Sequence, residues 1–159
     1  MSTNINLNIV PFTPLYRDAF LRLNRSWLEE YGLLEPYDLE VLENPEMMVL
    51  EKGGEIYFGV VNDEVVSTLA LTPAGEGVVE LNKMAVSKEF QSRGIGQQLM
   101  HFAIQLSASR GVKCVELYSH SSLKRALHIY AKFGFQEVPL AEGCMYDLAN
   151  VHMRLELCD

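Results

Sequence analysis

Residues 81–97 are LNKMAVSKEFQSRGIGQ, and this stretch decides the fold. A strand-like run ends at Val86, a short polar loop follows, and a helix begins beside Gly94 and Gly96. The start of a helix has unpaired N–H groups and the positive end of the helix dipole, and glycines let a ligand approach the backbone. Because Arg93 adds a fixed positive charge, the segment predicts a cradle for a pyrophosphate group.

Two common phosphate-binding loops do not fit this segment. No Gly-Lys-Ser/Thr follows the glycines, which excludes a P-loop, and the third glycine of the dinucleotide-binding fingerprint is missing. An isolated Gly-x-Gly is more often a helix start that binds nothing. On these residues alone, that alternative stays open.

The chain on either side of this stretch predicts strands and helices in a mixed order. Upstream we expect a strand at Ile5–Val10, a helix with Thr13 as its N-cap, a helix at Tyr37–Leu42, and an antiparallel meander of four runs: Met48–Lys52, Ile56–Val61, Val65–Thr72 and Val78–Val86. Downstream we expect two helices closed by Gly111 and Gly134, and strands at Val112–Tyr118, Phe135–Val138 and Met145–Leu157. The predicted fold is α/β, with one mixed, mostly antiparallel sheet flanked by about four helices in a single domain over residues 1–159.

Composition excludes several classes of protein. No apolar run approaches the roughly 20 residues of a membrane span, and residues 1–8 lack the features of a secretion signal. Three cysteines without metal-ligand spacing predict reduced thiols in the cytoplasm and no metal site. The net charge of −8 argues against nucleic acid as a partner.

Charge is divided unevenly along the chain. Residues 1–80 carry a net charge of −10 and residues 81–159 a net charge of +2. One interpretation is chance sorting of surface charge. The other is a phosphate-bearing cofactor on the second half and a cationic substrate near the first half.

Two motifs resemble signatures of one enzyme family. Gln91 to Gly96 resembles the Gln/Arg-x-x-Gly-x-Gly/Ala signature of the GNAT superfamily, and Ala126 to Phe135 resembles that family's Ala-x-x-x-Tyr-x-x-x-Gly-Phe signature. Both occur in the family's order, so the chain is identified as a member of the GNAT superfamily. The resemblance implies an N-acetyltransferase that uses acetyl-CoA. In this family coenzyme A lies in a V between the fourth and fifth strands of the fold, which correspond here to Val78–Val86 and Val112–Tyr118.

The resemblance also implies the residues that bind the co-substrate. The backbone of the fourth strand would pair with the pantetheine arm, the glycine loop would hold the pyrophosphate, and Leu123 stands where many members have an asparagine that touches the pantetheine. These expected residues are Met84, Ala85, Val86, Gln91, Ser92, Arg93, Gly94, Ile95, Gly96, Gln97 and Leu123.

Acetyl transfer to an amine needs a neutral nucleophile, donors for an oxyanion and a proton for the departing thiolate. Tyr130 matches the family's general acid, and a packing role for its ring is the alternative. Glu80 on the fourth strand is our choice of base. Glu116, His120 and water remain alternatives, and Lys83 is expected to pair with an acid or with substrate.

The acceptor is predicted only by class. Acidic residues on the first two predicted helices, near the expected acceptor side, favour a cationic small-molecule or peptide amine. Simple solubility charge on exposed helices is the alternative explanation. The acidic residues are Glu29, Glu30, Glu35, Asp38, Glu40, Glu43 and Glu46. A non-catalytic acyl-CoA sensor is the alternative function. The oligomeric state is left open, and a homodimer is compatible with the sequence.

Overall fold

The computed structural model describes residues 5–140 and 143–157 of the chain. Its strands are β1 (Asn8–Pro11), β2 (Glu55–Val61), β3 (Glu64–Gly75), β4 (Val78–Val86), β5 (Cys114–Ser119), β6 (Gln136–Val138) and β7 (Val151–Glu156). Its α-helices are α1 (Arg17–Glu30), α2 (Pro36–Glu43), α3 (Ile95–Ser109) and α4 (Lys124–Lys132). None of these helices is long and apolar enough to cross a bilayer.

The strands form one sheet in the order β1-β2-β3-β4-β5-β7-β6. All neighbouring strands are antiparallel except β4 and β5, which are parallel. Parallel neighbours need a crossover connection, and α3 provides it. The predicted mixed, mostly antiparallel sheet with about four helices is confirmed.

The pairing of β4 with β5 is short. It covers only Val78–Glu80 opposite Cys114–Glu116. Beyond this point β4 continues beside β3 as far as Val86, while β5 continues beside β7 as far as Ser119. The two strands therefore diverge, and a wedge opens between them on the side of the Val86 and Ser119 ends.

Two apolar clusters cover the two faces of the sheet. One packs α3 against the sheet through residues such as Leu99, Met100 and Leu117. The other packs α1 and α2 through residues such as Phe20, Leu42 and Phe58. Close packing on both faces makes the central strands a rigid support for the wedge.

One predicted strand is wrong. Met48–Lys52 was expected to be extended, but Glu46–Leu50 forms a single π-helical turn in which Glu51 N donates to Glu46 O at 2.8 Å. A short apolar run fits a strand and a helical turn equally well, so periodicity does not separate them. The turn buries Val49, and Gly54 N bonds to Val49 O at 2.9 Å.

The last predicted strand is shorter than expected. Met145–Leu157 was expected to be extended, but β7 begins only at Val151. The segment before it is a loop tied down by side chains elsewhere: Glu35 accepts from Asp147 N at 2.8 Å and from Leu148 N at 3.0 Å. These tertiary bonds replace the strand pairing that the local sequence predicts.

Candidate active site

A cavity occupies the wedge between β4 and β5. Its lining includes Glu80, Met84, Leu123 and Tyr130, and Trp27 from α1 also contributes. The structure therefore brings the predicted base, the predicted acid and two predicted co-substrate residues together in one cavity. It lies beside the open edge of β4, whose ladder with β5 ends at Glu80.

The glycine loop follows the Val86 end of β4, on the side where the wedge opens. Ser92 and Gly94 both have left-handed backbone conformations, with φ of 64° and 81°, and α3 begins directly after them. The first bond of that helix is Gln98 N to Gly94 O at 3.0 Å, so the N–H groups of residues 95–97 precede the helical ladder. Successive free N–H groups around such a turn form a concave anion-binding surface.

Space above this loop is compatible with a phosphate group. A Cβ atom added at Gly94 or at Gly96 would meet no protein atom within 4 Å. The loop is also flanked by basic side chains, because Arg125 of α4 donates to Ser92 Oγ at 3.0 Å and Arg93 is exposed. The residues present therefore fit a pyrophosphate.

Three of the predicted co-substrate residues can contact a ligand only through some of their groups. The Ile95 side chain is buried in the core, so only its backbone can face a ligand. Gln91 Nε2 donates to Val86 O at 3.2 Å, which occupies the carbonyl at the end of β4. Leu123 immediately precedes α4 and lines the cavity, where its side chain offers apolar contact only.

Tyr130 lines the cavity, and its hydroxyl is protonated at neutral pH. In the described part of the chain its hydroxyl has no hydrogen-bond partner, and its ring packs 6.1 Å from that of Phe135. Burial raises the pKa of Tyr130 to about 12. The hydroxyl therefore keeps its proton at neutral pH and is free to donate it to a group within the cavity.

Glu80 is held by neighbouring donors at the point where the wedge opens. Asn82 Nδ2 donates to Glu80 Oε2 at 2.9 Å, and the Tyr146 hydroxyl donates to the same oxygen at 3.1 Å. Burial raises the pKa of the Glu80 carboxyl, and the Glu116 charge adds to this, whereas the two hydrogen bonds and Lys83 oppose it. A carboxylate with a raised pKa is a stronger proton acceptor than an ordinary one.

The other two candidate bases are already engaged. His120 Nδ1 accepts from Ser122 N at 3.0 Å, which leaves its proton on Nε2 and no free lone pair on the ring when the histidine is neutral. Glu116 accepts from His152 Nε2 at 3.0 Å. Glu80 is the better placed of the three, since it lines the cavity with one carboxylate oxygen free of partners among the described residues, whereas Glu116 does not line the cavity.

A bulge in β4 carries Lys83 into the wall of the cavity. Lys83 and Met84 together oppose Leu69 of β3, and Lys83 has a φ of 51°. Asn24, fully buried on α1, donates to the Lys83 carbonyl at 3.1 Å, and Lys83 Nζ forms a buried ion pair with Asp38 Oδ1 at 2.6 Å. Of the two partners expected for Lys83, an acid and the substrate, the structure shows the acid.

A second cavity lies on the other side of the Glu80 carboxyl. Its own lining includes Tyr37, Met48, Lys52, Thr72 and Met145. The two cavities share five lining residues, which are Glu80, Asn82, Lys83, Tyr118 and Tyr146. The shared wall would let two reactants meet beside Glu80, one from each side.

Most of the acidic stretch is paired. Asp38 bonds to Lys83, Glu46 to Arg17, Glu29 to Arg25 and Glu30 to Lys88. Glu35 accepts two backbone N–H groups, as described above. The seven acidic residues therefore produce a weaker external field than their number in the sequence implies.

Sequence reasoning missed three polar residues beside Glu80 and its neighbour Glu116. Asn82 on β4 and Tyr146 from a distant loop bond to Glu80, and His152 of β7 contacts Glu116. None of the three had an assigned role, and no local motif marks Asn82 or His152. The one available signal was the spacing of Tyr146 and Asn150. Asn150 Oδ1 accepts from Ser121 N at 2.9 Å, which fixes the loop that delivers Tyr146.

Comparison with known sequences gives a family match. Residues 15–135 match the Acetyltransferase (GNAT) family. Over 105 residues the chain is 30% identical to the uncharacterized N-acetyltransferase YvbK of Bacillus subtilis (strain 168), spanning 64% of this chain and 68% of that protein. It is 39% identical over 61 residues to the mycothiol acetyltransferase of Tsukamurella paurometabola, spanning 38% of this chain and only 21% of that protein.

Comparison with solved structures shows the same fold. A GNAT acetyltransferase of Staphylococcus aureus Mu50 superimposes with a TM-score of 0.84 at 22% identity, covering 96% of this chain and 99% of that one. A GNAT acetyltransferase of Elizabethkingia anophelis with acetyl-CoA bound gives 0.67 at 24% identity, covering 96% and 99%.

The buried ion pair between Lys83 and Asp38 leads to a prediction about stability. Lys83→Met should lower the free energy of unfolding by about 3–5 kcal/mol, because it leaves the Asp38 carboxylate buried without its cation. Arg25→Met is the matched control, since it breaks the half-exposed pair with Glu29 and should cost less than about 1 kcal/mol. Urea denaturation measures both, and equal small losses would contradict the role given to Lys83.

Proposed function

Because the chain belongs to the GNAT acetyltransferase family and is an N-acetyltransferase, we propose that it moves the acetyl group of acetyl-CoA directly to a primary amine within a ternary complex. One observation carries this proposal: a single cavity beside the open edge of β4 contains both Glu80 and Tyr130. An acid and a base that face one cleft meet the two proton requirements of acyl transfer to an amine.

We propose that acetyl-CoA lies in the wedge. The unpaired edge of β4 at residues 84–86 would bind the pantetheine arm, and the N–H groups of residues 92–97, with Arg93 and Arg125 nearby, would bind the pyrophosphate. Coenzyme A is bound in a Bacillus subtilis acetyltransferase that superimposes with a TM-score of 0.73. Leu123 would contribute apolar contact where many members use an asparagine.

Different groups in the cavity would serve the separate steps of the acetyl transfer. Acetyl-CoA supplies a thioester, and the amine nitrogen forms the new bond to its carbonyl carbon as the carbon–sulfur bond breaks. Glu80 accepts the proton that the amine loses, directly or through water. Tyr130 donates its proton to the departing sulfur, and backbone N–H groups of Ala85 or Val86 are the proposed donors to the oxyanion.

We propose that the acceptor enters through the second cavity. Glu80 lies in the wall that this cavity shares with the wedge, and a protonated amine would be attracted to its carboxylate. Because most of the acidic stretch is paired, attraction of a cationic acceptor is proposed to come from Glu80 rather than from the surface of α1 and α2.

A cytoplasmic location and a single catalytic domain over residues 1–159 are also proposed. Cys114 and Cys144 are free thiols, which fits a reducing compartment. All seven strands of the described residues belong to one sheet, which fits one domain.

The direct test is thiol release from acetyl-CoA with a panel of primary amines. Catalysis predicts many thiols per enzyme molecule, with a rate that depends on the amine and with N-acetylated product. A non-catalytic sensor would bind acetyl-CoA, yet release no thiol above the rate of spontaneous hydrolysis with any amine. That second result would contradict the proposal.

Tyr130→Phe should reduce kcat by roughly 10²–10⁴-fold, because it removes the proton and keeps the packing ring. Affinity for acetyl-CoA should stay the same, since the ring still lines the cavity. Tyr31→Phe is the control, because Tyr31 is exposed at the end of α1 and should leave turnover unchanged. Near-normal turnover of Tyr130→Phe would leave Tyr130 as a packing residue only.

Gly94→Ala should weaken acetyl-CoA binding by roughly tenfold or more, which corresponds to about 1.4 kcal/mol, because a side chain enters the cradle. Gly111→Ala is matched to it: both glycines have positive φ, 81° and 75°, both have open space at Cβ, and they flank the two ends of α3. The two variants should lose similar stability from backbone strain. Calorimetry should show weaker binding only for Gly94→Ala, and equal affinities would place the cradle elsewhere.

A further inference from the structure

Two carboxylates lie side by side where the wedge begins. Glu80 of β4 and Glu116 of β5 are direct partners in the last rung of the parallel ladder. Direct cross-strand partners project from the same face of a sheet, at a separation close to the strand spacing of about 5 Å. Like charges at this distance oppose each other's ionisation.

A buried histidine contacts one of these two carboxylates. His152 of β7 is 5% exposed, and its Nε2 is 3.0 Å from Glu116 Oε1. Its Nδ1 is 3.3 Å from the Pro139 carbonyl oxygen, and its ring stacks on Tyr118 at 4.3 Å. Both ring nitrogens thus face oxygen atoms, and only the imidazolium form of a histidine can donate hydrogen bonds from both.

We propose that His152 is a positioning residue for acetyl transfer: through Glu116 it sets the pH range over which Glu80 accepts the amine proton. In its imidazolium form, His152 offsets the negative field that Glu116 exerts on Glu80. Without that offset, the Glu116 charge favours the protonated form of Glu80, which cannot accept a second proton. This inference rests on the proposed role of Glu80 as the base.

The other groups around these residues do not replace His152. Glu80 is faced by Asn82 and Lys83 of β4, by Tyr37 of α2 and by Tyr146 of the loop before β7. The charge of Lys83 is already shared with Asp38 at 2.6 Å.

Arg154 and Tyr118 are the remaining polar groups beside the pair. Arg154 is the cross-strand partner of Glu116, but its Nε donates to Cys114 Sγ at 3.1 Å and lies 3.8 Å from Glu156 Oε2. The Tyr118 ring stacks on His152 and contributes no charge. Among the described residues, His152 is therefore the basic side chain that contacts the Glu116 carboxylate directly.

The test follows the Glu80 carboxyl by carbon-13 NMR titration in wild type, Glu116→Gln and His152→Gln, with the signal assigned by its loss in Glu80→Gln. Glu116→Gln removes the like charge and should lower the midpoint of Glu80 by roughly one pH unit. His152→Gln keeps a donor to Glu116 but removes the positive charge, so the midpoint should rise by a similar amount. The double variant should resemble Glu116→Gln, because without Glu116 the histidine has no carboxylate to offset.

The acidic limb of kcat/KM for the best amine should move in the same directions. A purely structural role for His152 would lower turnover at all pH values without moving either midpoint. Arg25→Gln, on the exposed surface of α1, is the control for removal of a distant charge and should move nothing. Shifts of the same sign in Glu116→Gln and His152→Gln, or no shift in either, would overturn the inference.

Failure of the inference is distinguishable from failure of the proposed base. If Glu80→Gln is fully active while the NMR midpoints move in opposite directions, the coupling stands and the base assignment fails. If a variant does not fold, nitrogen-15 NMR of wild-type His152 decides: protons on both ring nitrogens through the Glu80 titration support the inference, and a neutral ring overturns it.

Discussion

The divergence of β4 and β5 is the constraint on which the rest of the structure depends. The strands are parallel neighbours for three residue pairs, and each then follows its antiparallel partner on the other side. Backbone groups along the two diverging edges lose their ladder partners inside the fold, and they need water or a ligand in exchange. An extended, amide-bearing molecule such as the pantetheine arm is suited to this edge, and the same divergence places Glu80 at the apex of the cleft.

The buried polar contacts around β4 give this cleft a defined shape. Asn24 from α1 and Asp38 from α2 bond to the backbone and side chain of Lys83, so the bulge is connected to both helices of one face. Removing either Lys83 or Asp38 would leave the other charge buried without a partner, which is strongly destabilising. The wall between the two cavities is therefore held by side chains from three separate elements.

The sequence predicted those parts of the structure that depend on local contacts. The glycine loop, the start of α3 and the position of Tyr130 follow from short motifs, and the structure places them around one wedge. The Met48–Lys52 strand was wrong because three consecutive apolar residues, Met48 to Leu50, fit a π-helical turn as well as a strand. Tyr146 and His152 were missed because their places beside Glu80 and Glu116 come from pairings over 66 and 36 residues, which no local pattern encodes.

Hydrogen exchange of backbone amides, with and without saturating acetyl-CoA, tests the central claim most directly. The account predicts slower exchange at residues 84–86 of β4 and at residues 92–97 of the glycine loop, because these amides gain partners when the wedge is filled. Exchange at Tyr37 and Val41 of α2, which line the second cavity but not the first, should not change until an acceptor is added. Protection confined to α2 or to the β1 edge, with residues 84–97 unchanged, would contradict the account.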